Sequence, residues 1–199
     1  MVLSKAKITI ELREILLKDR PQELYKISKK GTVPVLKVNN VVLDESLDIM
    51  LWAIKQSSLN LLDYNKNEQL TMIENNDCEF KQWLDKYKYH DRFPENTIGY
   101  YRGKAIETLN IYEGILETNK YFFGDNISLS DIAIFPFIRQ FSYVDIDWFN
   151  QKYKFLTNWL NLFIESDLFK SVMGKYQIWD SSLNRIIVNF KYDEKPNIK

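Results

Sequence analysis

The chain has 199 residues, enough for one larger domain or two smaller ones, each with a modest core. Apolar residues make up 45% and charged residues 27%, as in a soluble globular protein; Lys+Arg and Asp+Glu balance at 27 each, which gives no basic surface for nucleic acid or an acidic membrane. No apolar run is long enough to span a bilayer or serve as a signal peptide, and the single Cys78 excludes an internal disulfide, a CxxC redox pair and a zinc cluster, pointing to a reduced, cytoplasmic setting.

In chain order, "ITIELREI" over residues 8–15 alternates apolar and polar, the pattern of a half-buried strand. Pro21 opens a short helical stretch, "PQELYKI", where its missing N–H does no harm. "VPVLKV" and "VVL" flank Asn39-Asn40, two residues that accept positive φ, which predicts a tight antiparallel hairpin. Ser46 is placed to cap a helix running "LDIMLWAI". After a polar stretch from Gln56 to Asn67 the pattern becomes wholly helical: Phe80, Trp83, Leu84 and Tyr87 recur at i, i+3, i+4, i+7. Ile106, Leu109, Ile111 or Tyr112, and Leu116 form a broad face in the next helix, and "SLSDIAIFPFIRQF" and "FLTNWLNLFIES" supply two more. The expected division is residues 1–57, 66–179, and a tail of 180–199 in which "RIIVNFKY" has strand character and "DEKPNIK" the composition of a disordered end. A loose extension over the surface is the expectation for that tail, with filling of an open sheet slot as the lesser alternative.

Two positions suggest chemistry. Pro34 at the start of a strand leaves the main chain of Val33 facing outward, and a cis Val33–Pro34 bond would present its N–H and C=O to an extended peptide. At the start of the next helix, a backbone N–H and the Ser46 hydroxyl can bind a carboxylate, while Glu45 can take an ammonium group. Together these suit a small zwitterionic peptide. The plain alternative is an edge proline followed by an ordinary helix cap.

The segment "ELREILLKDRPQEL…KKGTVPVLKVNNVVLDESLDIMLWAI" resembles the N-terminal thioredoxin-like domain of cytosolic glutathione transferases, nearest to bacterial and omega-like members. The resemblance implies that Val33-Pro34 is the family's cis-proline turn, that Glu45-Ser46 holds the γ-glutamyl end of glutathione, and that Arg20, before Pro21, reaches the glycyl carboxylate with its two-donor fork. "GDNISLSDIAIFPF" resembles the signature of the helical C-terminal domain, with Ser128 and Asp131 as a capping box whose role is folding. The resemblance covers roughly residues 3–179.

It implies an α/β plus all-α architecture: a thioredoxin-like domain, N-terminally incomplete, then a glutathione transferase-type helical domain. The family's first strand and sulfur-activating residue would precede Met1, so no residue of this sequence is assigned as catalytic and no metal ligand is expected. Cys78, in the first helix of the second domain, and His90, a surface residue near that helix's end, do not substitute. The implied function is glutathione-dependent thiol transfer or conjugation to a small electrophile, with impaired activity, and glutathione as co-substrate. The electrophile would sit between the domains near Trp83, Tyr87 and Tyr100–Tyr101. The alternative is a non-catalytic binding or scaffold protein of the same fold. A cytoplasmic homodimer is expected, with no nucleic-acid or membrane partner.

Overall fold

A computed structural model describes residues 1–190. In chain order the elements are α1 (Val2–Lys5), β1 (Ile10–Leu12), α2 (Gln22–Ile27), β2 (Leu36–Val38), β3 (Val41–Leu43), α3 (Ser46–Lys55), α4 (Lys66–Asn75), α5 (Lys81–Lys88), α6 (Ile98–Leu116), α7 (Leu129–Ser142), α8 (Ile146–Lys152), α9 (Phe155–Glu165), α10 (Asp167–Lys170) and β4 (Ile186–Val188). A π-helical turn, Asn76–Phe80, joins α4 to α5, so the two form one continuous helical run. The described residues divide into two compact units: residues 1–59 together with 167–190, and residues 60–166.

In the first unit α1 packs against α3, and β2 and β3 form an antiparallel hairpin whose two-residue loop is set by the Val38↔Val41 pairing. Asn39 takes the positive φ of 52° that such a loop demands. Pro21 stands one position before its expected place, as the N-cap of α2. Ser46 does not cap α3. The extended backbone ends at Glu45 (φ −118°, ψ 138°), so Glu45 is the N-cap, Ser46 is the first helical residue, and no side chain caps the helix.

The tail, as far as residue 190, also departs from expectation: Ile186–Val188 pairs antiparallel with β1 in the register Ile10↔Val188, Glu11↔Ile187, Leu12↔Ile186. The Trp179 N–H donates to the Glu14 carbonyl at 2.7 Å, the Arg13 guanidinium lies over the Trp179 ring, and the Thr9 hydroxyl donates to Asn189 at 2.6 Å. The pairing gives the N–H and C=O groups on one edge of β1 their partners. The Ser4 and Ser171 hydroxyls lie 2.8 Å apart, and residues 167–190 belong with the first unit, so the helical unit closes before residue 179. Residues 191–199, the end of "RIIVNFKY" and all of "DEKPNIK", lie outside the described residues.

The helical unit owes its cohesion to aromatic residues at helical spacing. Phe80, Leu84 and Tyr87 are buried along the continuous helical run, and Tyr101, Leu109 and Tyr112 along α6. Of the two candidates on that face, Tyr112 goes inside and Ile111 stays 62% exposed. Side chains of this size stabilise by about 1.5–3 kcal/mol each when fully buried. The ring of Phe135 stacks on Phe163 at 4.8 Å, and Phe122 lies 4.9 Å from Trp159.

Candidate functional site

The register of the hairpin decides what its ends can do together. Leu36 pairs with Leu43, so the residues just before β2 and those just after β3 emerge at the same open end. The first set is Gly31 to Pro34; the second is Asp44 to Ser46. The Val33–Pro34 bond is cis, and Val33 remains 45% exposed. Gly31 has φ +62°, and a Cβ there would stand 2.3 Å from the Tyr25 ring, so no larger residue fits this turn without moving Tyr25.

The acidic side is occupied from within the chain. The Lys30 ammonium donates to Glu45 at 2.6 Å and to Asp44 at 3.3 Å. The Ser28 hydroxyl donates to the other Asp44 oxygen at 3.0 Å. Glu45 holds Lys30 above the ordinary lysine value, with Asp44 adding to the effect. Donation from Ser28, with help from Lys30, holds the Asp44 carboxyl below the usual carboxylate range. Ser46 is exposed at the first position of α3, where a helix leaves its first N–H groups without intrahelical partners.

The structure thus brings Glu45 and Ser46 to the same end of the hairpin as Val33 and Pro34. Arg20 lies exposed on the loop before α2 and pairs with none of them among the described residues. Sequence reasoning missed Lys30 and Ser28. The pairing partners lie 14 to 16 positions away, and no local spacing announces a contact made only when the hairpin folds back.

Ser128 and Asp131 form a site of a different kind. Ser128 is the N-cap of α7, and Asp131 accepts from the Ser128 N–H at 2.9 Å and from its hydroxyl. The same carboxylate accepts from the Phe122 N–H at 3.0 Å and the Trp159 indole at 2.9 Å. Asp131 is fully buried, so it organises the core and is closed to a ligand. Tyr87 and Tyr101 are likewise committed to the interior, the Tyr101 hydroxyl donating to the Phe93 carbonyl at 2.9 Å. Tyr100 is 45% exposed and Trp83 half-buried. Cys78 is exposed on the π-helical turn.

The family model for the glutathione S-transferase N-terminal domain matches residues 1–60, and that for the glutathione S-transferase C-terminal domain matches residues 81–162. The chain belongs to the glutathione S-transferase family. Residues 1–60 correspond to the family's thioredoxin-like N-terminal domain and residues 81–162 to its all-helical C-terminal domain. The N-terminal match opens at residue 1, so it lends no support to the expectation of a lost first strand.

Solved structures of the family share the fold at low identity. A ternary complex of BphK, a bacterial member, is 18% identical with a TM-score of 0.73, covering 85% of this chain and 88% of that one. A family member from Pseudomonas fluorescens with two glutathione molecules bound is 16% identical with a TM-score of 0.72, covering 85% and 83%. Glutathione S-transferase I, bound with lactoylglutathione, is 19% identical with a TM-score of 0.71, covering 86% and 89%. No curated protein matches the sequence significantly. No described helix is long and apolar enough to cross a membrane.

Proposed function

We propose that this chain is a glutathione-dependent transferase that holds the γ-glutamyl end of glutathione at Glu45 and Ser46. The observation that carries the reading is the hairpin register. An acidic residue, a serine hydroxyl and the first N–H groups of α3 lie at the same end of the hairpin as Val33, which is itself exposed. The Glu45 carboxylate suits the γ-glutamyl ammonium, and Ser46 with the helix N–H groups suits its α-carboxylate. The Val33 main chain pairs with the peptide as an added strand, and Arg20 takes the glycyl carboxylate.

In the reaction the sulfur of glutathione, as thiolate, attacks an electrophilic carbon. A C–S bond forms, and the electron pair leaves on the displaced group or is protonated after addition. The assigned residues bind and orient the peptide; none is assigned to stabilising the thiolate.

The test is Glu45→Ala combined with Ser46→Ala, measured by retention on immobilised glutathione. Removing each charge-assisted hydrogen bond is expected to cost about 1.5–3 kcal/mol of binding. Undiminished retention refutes the placement. Retention of the unaltered chain without turnover of any electrophile identifies a non-catalytic binder of the same fold.

The reading includes a second copy of the chain, with α3 and α4 near the two-fold axis, by analogy with the family. Sedimentation equilibrium is expected to give twice the 23.8 kDa chain mass at micromolar concentration. A monomer throughout that range overturns the dimer.

A further inference from the structure

The acceptor reserved for a ligand ammonium already holds one from the chain itself. Lys30 reaches Glu45 at 2.6 Å and Asp44 at 3.3 Å. We propose that Lys30 is a specificity-determining residue of this site: its ammonium is the resident occupant of Glu45, and a ligand ammonium competes with it for that carboxylate. The proposal rests on the reading that the γ-glutamyl end docks at Glu45–Ser46.

The charges and geometry support an exchange over a permanent block. Asp44 and Glu45 contribute two negative charges and Lys30 one positive, which leaves one negative charge for an incoming cation. When a ligand takes Glu45, Lys30 is not stranded, because Asp44 already accepts from it. Ser28 keeps Asp44 oriented for that role. Lys30 is 52% exposed and Glu45 62%, so their pair is screened by water and costs little to open. An α-amino acid end has a further advantage over a plain amine, since it brings a negative charge with it to offset that of the displaced ammonium. The class favoured is therefore the zwitterionic γ-glutamyl peptide.

The experiment is a cycle between Lys30 and the ligand's amine. Glutathione and N-acetylglutathione, in which that amine is blocked, are titrated by calorimetry against the unaltered chain, Lys30→Met and Lys30→Arg. Blocking the amine should weaken binding more in Lys30→Met than in the unaltered chain, by a further factor of about two to five, the range of an exposed pair. Lys30→Arg should resemble the unaltered chain, and the difference should shrink in 1 M salt, where the Debye length is about 3 Å. An equal amine effect in all three overturns the proposal while leaving the docking reading intact. Failure of both the unaltered chain and Lys30→Met to bind either ligand overturns the docking reading and the proposal with it. A spectroscopic readout separates the pair from the ligand. The Lys30 side-chain resonance, followed by NMR, should titrate at lower pH in Glu45→Gln than in the unaltered chain; an unchanged titration overturns the pairing.

Discussion

Asp131→Ala should cost about 3–5 kcal/mol of stability, read as a fall in the urea or thermal unfolding midpoint. Four donors converge on this one carboxylate: the N–H and hydroxyl of Ser128, the N–H of Phe122 and the indole of Trp159. All four lie where water does not replace the lost acceptor, and an unsatisfied buried donor costs about 1–3 kcal/mol. A whole domain is typically stable by only about 5–15 kcal/mol, so the variant should approach unfolding under mild conditions. A shift below about 1 kcal/mol would show that these donors find other partners.

Asp131→Asn refines the test. The amide keeps one acceptor oxygen but turns an N–H₂ donor toward donors, so it should cost less than Ala and still more than a surface change. Burial pushes the Asp131 carboxyl above the usual carboxylate range, against the pull of Ser128, Phe122 and Trp159. The folded chain therefore holds this proton to higher pH than the unfolded chain, whose aspartates titrate at about 3.9. The group's contribution is neutral below that value and grows unfavourable as pH rises through the raised one. Asn cannot ionise, so the stability gap between the unaltered chain and Asp131→Asn should narrow as pH rises through that window.

Bonds made within a few residues are legible in the sequence; those made by folding are not. Ser128 and Asp131 lie three apart, and their mutual cap is a local pattern. Asn39 announces the hairpin because the positive φ it accepts is a property of that residue alone. Sequence alone misplaces the start of α3 by one position, since Glu45 and Ser46 are both plausible at a boundary and the extended backbone decides between them. Lys30 at Glu45, the Gln69 amide oxygen accepting from the Leu129 N–H at 3.0 Å, and β4 on β1 span separations no local pattern registers. Asp131 shows both kinds: its bond to Ser128 is readable, and its bond to Trp159 is not. The site has the same division. Val33, Pro34, Glu45 and Ser46 are marked in the sequence by their resemblance to family motifs, whereas the cation paired with Glu45 comes from a segment that meets it only in the folded hairpin.

Glu113→Ala should show that a helix can depend on a cap supplied from elsewhere in the fold. The N-terminus of α9 has no side-chain cap of its own, its N-cap position being Lys154. Its first N–H groups donate instead to the Glu113 carboxylate on α6: Lys154 at 2.8 Å and Phe155 at 3.0 Å to one oxygen, Leu156 at 2.7 Å to the other. These groups would otherwise lack intrahelical partners, and a negative charge at that end is favoured by the helix dipole. Local caps contribute about 0.5–2 kcal/mol. Three charge-assisted bonds, with Leu156 buried and Phe155 half-buried, place Glu113→Ala at about 2–3 kcal/mol. Since α9 carries Trp159 and Phe163 into the buried aromatic cluster, loosening its first turn should also disturb the indole bond to Asp131. Glu113→Gln retains one oxygen for two of the donors and should recover roughly half the loss. The check is hydrogen exchange at Leu156 beside the unfolding midpoint. Faster exchange with the midpoint unchanged would mean that the cap only suppresses fraying, whereas a fall in both would tie α9's first turn to the stability of the helical unit.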